Sequence, residues 1–456
     1  MNTQSADETN SDFLKVQRII EHYKPRIDPF KQISTEEFVA RQKKLADALK
    51  KKGYIVGLVF SDEHYSGDVP YLAGNINISI EQVAGVIGST GFHVVAGLEG
   101  GYVVEQLADR SRSKVHKVGM LQLADEQYPI NAERLEDVIE AAAGKKLKDV
   151  KKIALLTPRQ ILPSSVVEYL EQLFGKENVI DEQDVYYKIK YIKSDMEMEL
   201  IRDSTLIADA MMRSMLAVIK PGMLETEVAA WAYFTASMLG AEGLGFKVIL
   251  GANEANRTLI GLALNRRINK GDWVHLGVSP KRDGLASCNR RSIIVGVSEE
   301  EWTDDQRYWF DFIEEAYKVG YDAYVNIAEN DLPAKMQEQA LVDFFKSRSA
   351  DVSARIGKDI DLETLKPYTG THNAGYTECQ EFYGAITLDS EEPLGNQIVT
   401  MLDVALRGIG DRWNDVVIPG FDYIVVENTL GKFGTHVECF NELPLRVQYL
   451  VGIGLE

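Results

Sequence analysis

The chain has 456 residues, with 50 Lys and Arg against 69 Asp and Glu, which gives a formal net charge of −19. This acidic balance argues against a nucleic-acid partner, because neutralising phosphates requires a basic surface. Hydrophobic residues make up 45% of the chain, which is enough for a large buried core and excludes a wholly disordered protein. The length favours two or three domains.

The amino-terminal sequence MNTQSADETNSD is polar and acidic, unlike a signal peptide, and no stretch reaches the roughly 18 to 20 apolar residues of a membrane span. The chain has only three cysteines, Cys288, Cys379 and Cys439. A small and odd number of cysteines is more typical of a protein in a reducing compartment than of a protein stabilised by disulfide bonds. We therefore expect a cytoplasmic protein with free thiols and no membrane partner.

The first part of the chain predicts a polar extension followed by an α/β domain. Residues 1–30 form the extension, with one short helix, SDFLKVQRIIEHY, ending before Pro25. A capped helix is predicted from Ser34 or Thr35 to Gly53. Strands and helices then alternate, which predicts an α/β domain over residues 30–190. The predicted strands are YIVGLVF, AGVIGS, FHVVAGL, GYVVEQ and KIALLT, and the predicted helices are AERLEDVIEAAAG and SSVVEYLEQLFG.

The second part predicts helices on a curved antiparallel sheet. Two helical runs, SDMEMELIRDSTLIADAMMRSMLAVIKPG and LETEVAAWAYFTASMLG, meet at Pro221-Gly222. Apolar strand patterns then dominate, interrupted by a helix pair over about 304–349. The predicted strands are GFKVILGA, DWVHLGV, RRSIIVG, NQIVTMLDVAL and FDYIVVEN. The pattern therefore predicts an α+β domain over residues 191–456.

Four segments carry a family resemblance: KSDMEMELIRDSTLIADAMM, IKPGMLETEVAA, NKGDWVHLGV and YTGTHNAG. In this order and spacing they resemble the pita-bread superfamily, which holds creatinase, prolidase, aminopeptidase P and methionine aminopeptidase. The resemblance covers about 30–456. It implies an α/β amino-terminal domain of the creatinase/prolidase type, an α+β pita-bread carboxy-terminal domain and a homodimer.

The resemblance also implies where metal ligands should lie. The peptidases of this superfamily bind two divalent ions through two Asp, one His and two Glu. Counted from Gly271-Asp272, the two Asp positions fall on Gly277 and Cys288. The His position falls on His372. One of these three positions therefore keeps its ligand.

The two Glu positions lie in the last predicted strands. The first falls within 401–403, where Asp403 is the only carboxylate, and the last falls on 420–421, beside Asp422. Two dications about 3.5 Å apart repel by about 19 kcal/mol at an effective dielectric constant of about 20, so anionic bridging ligands are indispensable. We therefore predict no bound metal and no other cofactor.

Creatinase is the precedent in the superfamily for hydrolysis of a C–N bond without metal. The catalytic histidine that the resemblance implies falls here on Ile260, and a second outer histidine falls on Cys379. Creatine itself should therefore not be assumed as the substrate.

The residues that remain suggest a catalytic role for thiols. If the fold is right, Cys288, His372 and Cys379 project toward one pocket, where a thiolate–imidazolium pair could attack a carbonyl or amidine carbon. In a second interpretation, the cysteines are small buried side chains that fill volume. In a third, the three residues bind one soft metal ion with zinc-like ligands.

Further residues are candidates for binding a substrate. Arginines beside Cys288 would add positive charge, and the late loop offers aromatic rings and carboxylates for a cationic small molecule, unless these only cap the sheet. The predicted substrate-binding residues are Glu378, Glu381, Tyr376, Arg290, Arg291 and Asp403.

Three functions remain open from the sequence. The leading one is a creatinase-like, metal-independent hydrolase of a C–N bond in a small molecule, with amidino, N-methyl or amide substrates. The second is a catalytically silent pita-bread protein that binds a ligand or partner. The third is an Xaa-Pro peptidase of the aminopeptidase P/prolidase type with an atypical metal site.

Overall fold

The computed structural model describes residues 3–75, 81–122, 132–366 and 370–455. The chain forms two compact units. Unit N consists of Lys31–Ile192 and Gly375–Tyr383, and unit C consists of Met1–Phe30, Lys193–Ala374 and Gly384–Glu456. The amino-terminal extension thus packs in unit C, and nine residues of the late loop pack in unit N.

Eleven α-helices are described, and most begin or end at residues that the sequence marks. The Ser34 side chain accepts a hydrogen bond from the Glu37 amide, which identifies Ser34 as the N-cap of the second helix. The helices are α1 Thr3–Tyr23, α2 Thr35–Lys51, α3 Asp68–Ala73, α4 Leu98–Ser111, α5 Leu135–Ala143, α6 Ser164–Phe174, α7 Gln183–Tyr191, α8 Asp195–Val218, α9 Glu225–Met238, α10 Asp304–Asn330 and α11 Lys335–Ile356. None of these described helices is both long and apolar enough to cross a membrane.

The strands form one sheet in each unit. They are β1 Gly57–Ser61, β2 Val83–Gly88, β3 Gly91–Ala96, β4 Lys114–Lys117, β5 Ile153–Leu155, β6 Val179–Asp181, β7 Gly243–Ala252, β8 Trp273–Arg282, β9 Leu285–Ala286, β10 Asn289–Ile294, β11 Thr371–Asn373, β12 Gln397–Arg407, β13 Tyr423–Phe433 and β14 His436–Cys439.

Unit N is an α/β domain, as predicted. Its mixed sheet has the order β4-β3-β2-β1-β5-β6, with antiparallel pairs in the centre and parallel pairs toward both edges. Apolar residues of α5 and α6 pack on this sheet in one buried cluster. Strands buried on both faces explain the nearly continuous apolar runs in the sequence.

One predicted strand of unit N is wrong. The segment GYVVEQ lies inside helix α4, Leu98–Ser111. The two valines suggested a strand, but a tertiary contact stabilises a helix instead: the buried Glu81 carboxylate accepts a hydrogen bond from the Gly100 amide in the first turn of α4. A carboxylate there satisfies a free helical N–H group and interacts favourably with the helix dipole.

Unit C has the predicted α+β architecture. Its antiparallel sheet has the order β11-β12-β13-β10-β8-β7, with β14 beside β13 and β9 beside β8. Helices α1, α8 and α9 bury their apolar residues against this sheet in one large cluster. Helices α10 and α11 pack against each other, and α10 also contacts β12 and β13. The long strands β8, β12 and β13 position the candidate site described next.

Candidate active site

A row of charged side chains crosses the sheet of unit C. Arg290 on β10 is paired with Gly277 on β8 and with Glu427 on β13. Glu427 is paired in turn with Asp403 on β12. Directly opposed residues of antiparallel strands project from the same face. The pairing therefore brings one arginine and two carboxylates, all at most 5% exposed, onto one face of the sheet.

The Arg290 guanidinium is held inside this row. It donates to Asp403 Oδ2 at 2.8 Å, to the Tyr423 hydroxyl at 3.1 Å and to the Leu259 carbonyl at 2.6 Å. Its Nε lies 3.8 Å from Glu427 Oε2. A Cβ at Gly277 would approach Arg290 Cγ to 3.2 Å. The missing side chain at position 277 therefore leaves room for the methylenes of Arg290.

A second row on the same face contains Cys288 and His372. The Cys288 amide donates to Thr429 Oγ1 at 3.0 Å. Thr429 is paired with Met401, and Met401 with His372. Three strand steps of about 4.8 Å place the Cys288 and His372 backbones about 14 Å apart. This span is too long for the direct thiolate–imidazolium hydrogen bond that the sequence suggested.

Glu427 is the group that Cys288 and His372 share. His372 Nε2 lies 3.9 Å from Glu427 Oε1. The Cys288 sulfur lies within 4.8 Å of a Glu427 carboxylate oxygen. His372 Nδ1 is 3.2 Å from the Asn373 carbonyl, which can only accept, so this nitrogen carries a proton. The site is thus centred on a buried carboxylate flanked by a guanidinium, an imidazole and a thiol.

The sequence analysis missed Glu427. It placed the last carboxylate near 420–422, but Asp422 instead forms an ion pair with Arg257, with Nε 2.9 Å from Oδ1. The cross-strand partner of Asp403 lies five residues later, because β13 starts only at Tyr423. An available signal was that Glu427 is the only acidic residue in the apolar run YIVVENTL.

These residues do not fit a pair of divalent ions. Of the five positions implied by the resemblance, Gly277 has no ligand atom and Cys288 offers a thiol. Only His372, Asp403 and Glu427 are suitable, and the Arg290 cation already contacts Asp403. Two dications would therefore face two carboxylates and a fixed positive charge. The donor set argues against the dinuclear centre of the superfamily's peptidases.

Arg291, which the sequence predicted to bind substrate, instead forms hydrogen bonds inside the protein. Its side chain is fully buried, and each of its five N–H groups has an acceptor at 2.8–2.9 Å. Burial lowers the pKa of this guanidinium. The five acceptors are the carbonyls of Pro444, Arg290, Glu427 and Leu443 and the side-chain oxygen of Asn428.

The remaining predicted residues lie in unit N. Tyr376 accepts a hydrogen bond from Arg41 at 2.9 Å, and Glu381 forms an ion pair with Lys190 at 3.1 Å. Glu378 is buried, whereas Cys379 is exposed. Tyr376 and Glu381 thus have structural partners within their own unit. Tyr368 and Thr369 of the YTGTHNAG segment lie outside the described residues.

A second histidine, His275, lies on the site's face of β8 and is fully buried. Asn256 donates its amide to the Tyr423 carbonyl, so Asn256 Oδ1 accepts from His275 Nδ1 at 2.6 Å. Burial and the Arg290 charge lower the pKa of His275 well below its usual value. His275 is therefore neutral, with its proton on Nδ1.

Sequence comparisons agree with this fold. Residues 199–356 match metallopeptidase family M24. An Xaa-Pro dipeptidase of Pyrococcus horikoshii is 26% identical over 202 residues, which cover 44% of this chain and 55% of that protein. An Xaa-Pro dipeptidase of Pyrococcus furiosus is 28% identical over 162 residues, covering 36% of this chain and 45% of that protein. The chain thus aligns with about half the length of these relatives.

Solved structures match over most of the chain. An X-Pro aminopeptidase from Thermotoga maritima has a TM-score of 0.68 at 17% identity, covering 89% of this chain and 98% of that one. The prolidase from Pyrococcus horikoshii has a TM-score of 0.67 at 18% identity, covering 89% and 100%. The chain thus shares the fold of these two structures, and within it residues 199–356 are similar to metallopeptidase family M24.

Proposed function

We propose that this protein is a metal-independent hydrolase of a C–N bond in a small molecule, in which the Arg290 guanidinium supplies the positive charge that metal ions supply in the family's peptidases. The ion pair between Arg290 and Asp403, at 2.8 Å and at most 5% exposed, carries this proposal. The names of the relatives, Xaa-Pro dipeptidases, support cleavage of an amide-type C–N bond.

The chemistry requires an electrophile stabiliser, a base and an acid. Arg290 is suited to polarise the oxygen or nitrogen bound to the reacting carbon. Glu427 would take a proton from the attacking water as the new C–O bond forms. Glu427 would then pass this proton to His372 Nε2, 3.9 Å away, which would deliver it to the leaving nitrogen as the C–N bond breaks. The leaving nitrogen thus receives a proton for the one that the attacking water gives up, and the reaction needs no metal ion.

Cys288 offers an alternative nucleophile for the same reaction. Its thiol could pass a proton to Glu427 and attack the carbon, and the C–N bond would then break as the leaving nitrogen takes up that proton. Water would hydrolyse the resulting thioester or thioimidate and regenerate the thiol. A Cys288→Ala variant separates the two routes. Full turnover in this variant favours attack by water, and complete loss with retained substrate binding favours the thiol.

The test combines metal analysis with a substrate panel. The purified enzyme is assayed on amidino, N-methyl and dipeptide substrates in the presence of chelator, and its metal content is measured. We expect less than one equivalent of divalent metal per chain and turnover that is insensitive to chelator. Glu427→Gln should abolish turnover, whereas the exposed-residue control Glu329→Gln should not. Two equivalents of metal with chelator-sensitive activity would disprove the proposal.

A catalytically silent binding protein is the second candidate, favoured by the burial of Arg290 among protein acceptors. If it is correct, no substrate of the panel turns over, while some of the same compounds raise the melting temperature. The third candidate, an Xaa-Pro peptidase with an atypical metal site, rests on the names of the relatives and predicts metal-dependent cleavage of Xaa-Pro dipeptides.

Assembly and location complete the proposal. We propose a cytoplasmic homodimer that acts on a small molecule. Light scattering coupled to size-exclusion chromatography measures the mass of the particle and so tests the dimer directly. A mass near 51 kDa, that of one chain, would contradict the dimer.

A further inference from the structure

A cluster of lysines marks one face of unit N in this otherwise acidic protein. Helix α2 contributes Lys43, Lys44, Lys50 and Lys51, and Lys52 follows it directly. Residues 145–152, with the sequence KKLKDVKK, contribute five more. The segments 43–52 and 145–152 each contain a single acidic residue, Asp47 or Asp149. The local charge is thus strongly positive, although the whole chain carries −19.

The two stretches meet at one groove. Lys43 and Lys50 from α2 and Lys145 from the second stretch all line a groove of about 550 Å³. Lys152 extends over the Tyr54 ring, with its ammonium 4.1 Å from the ring centroid, and Tyr54 also lines the groove. We call this feature, together with the ten lysines, the lysine groove.

Only three of these ten lysines form an ion pair with a described acidic residue. Lys43, Lys52 and Lys146 form ion pairs with Asp47, Glu182 and Glu140. In the part of the chain that the structure describes, no acidic side chain lies within 4 Å of the other seven ammonium groups. These are Lys44, Lys50, Lys51, Lys145, Lys148, Lys151 and Lys152.

The helix dipole explains only part of the cluster. Lys50 and Lys51 occupy the last turn of α2, where cations are favourable. The lysines of 145–152, however, belong to no α-helix, because α5 ends at Ala143 and only a single 3₁₀ turn, Leu147–Asp149, follows. Like charges within a Debye length of about 8 Å repel one another, so a bound anion would stabilise this arrangement.

The chemistry of the lysine groove fits an acidic peptide better than a nucleic acid. Its lining combines three lysines and Asp47 with the apolar side chains of Val39, Ala46, Ile55 and Ala143. Nucleic-acid surfaces usually combine arginine with accessible aromatic rings for base stacking. Among the described residues that line this groove there is no arginine and one aromatic residue, Tyr54, which is 7% exposed and contacts the Lys152 ammonium with its ring.

We propose that the lysine groove is a docking site for an acidic protein segment that also carries apolar side chains. The carboxylates of the segment would pair with the lysine ammonium groups, and its apolar side chains would contact the apolar lining residues. This interaction is separate from the hydrolase proposed above, because every residue of the groove lies in unit N and none belongs to the candidate active site.

The test uses a fluorescein-labelled decapeptide that alternates glutamate and leucine, with fluorescence anisotropy as the readout. The groove variant is Lys50→Glu/Lys145→Glu/Lys151→Glu. The matched control, Lys24→Glu/Lys247→Glu/Lys358→Glu, changes three exposed lysines of unit C and gives the same net charge. We expect the groove variant to weaken binding by at least about tenfold and the control by less than about twofold. Circular dichroism verifies that both variants are folded.

Three results would overturn the proposal. Equal weakening in both variants would assign binding to net charge alone. Equal binding of a peptide with glutamine in place of glutamate would exclude a role for the lysines. Tighter binding of a single-stranded decanucleotide than of the acidic peptide would identify the surface as a nucleic-acid site.

Discussion

Lys190 lies between two buried carboxylates in unit N, and replacing it with methionine should destabilise the protein strongly. Its ammonium is 2.8 Å from Asp68 Oδ1 and 3.1 Å from Glu381 Oε2. All three side chains are at most 2% exposed. Lys190→Met keeps most of the side-chain volume but leaves two negative charges facing each other without the cation.

The magnitude follows from the protonation of Asp68. The two attractions are worth about 6 and 5 kcal/mol at an effective dielectric constant of about 20. Burial already raises the pKa of Asp68, so in the variant this carboxyl takes up a proton in the folded state. Protonating a carboxyl of ordinary pKa, about 3.9, at pH 7 costs about 4 kcal/mol. The expected loss of unfolding free energy is therefore at most about 4 kcal/mol. This value lies within the range of about 3 to 5 kcal/mol that is typical when one partner of a buried ion pair is removed.

The pH dependence gives the sharper test. Because the variant binds a proton on folding, its deficit should shrink as the pH falls, from about 4 kcal/mol at pH 7 to about 1.5 kcal/mol at pH 5. Urea denaturation followed by fluorescence measures both values. Lys188→Met, an exposed lysine on the same helix, is the control, and Lys190→Met/Asp68→Asn should recover much of the loss. A deficit below about 1 kcal/mol that does not change with pH would refute the reasoning.

Three further predictions concern other buried groups. Arg291→Lys offers three donors for five acceptors and should lower the unfolding free energy by about 3 kcal/mol, measured by urea denaturation. Burial lowers the pKa of His93 to about 4, so stability should fall as the pH drops from about 6.5 toward 4. His93→Gln should remove this part of the pH dependence, and an unchanged profile would contradict the assignment. Burial raises the pKa of Cys439 to about 11, so iodoacetamide at pH 8 should alkylate exposed Cys379 first, as peptide mass spectrometry would reveal.

The fold was predictable from the sequence because each local signal agrees with the tertiary structure. The N-cap at Ser34 and the long apolar strands of unit C lie where the pattern indicates. The exception, helix α4, depends on Glu81, which is distant in sequence from the first turn that it stabilises. A local pattern cannot reveal a contact of this kind.

The candidate site was predictable only in part. Asp403 and His372 were identified from the sequence and lie on one face of the sheet, but the role of Arg290 depends on strand register, which places its side chain opposite Gly277 and in one row with both carboxylates. A shift of one residue would point these groups to the opposite face. Register was also the reason that Glu427 was missed, because the length of β13 is not evident from its apolar composition.

The pairing of Gly277 with Arg290 has a consequence for protein engineering. An aspartate introduced at 277 alone would crowd the arginine methylenes and pair its carboxylate with the guanidinium instead of a metal ion, and a shorter side chain introduced at 290 alone would leave two facing carboxylates and no ligand at 277. Neither single step therefore creates a metal centre by itself. Converting this scaffold into a metalloenzyme requires both positions to change together, so searches that accumulate one beneficial substitution at a time should not reach it.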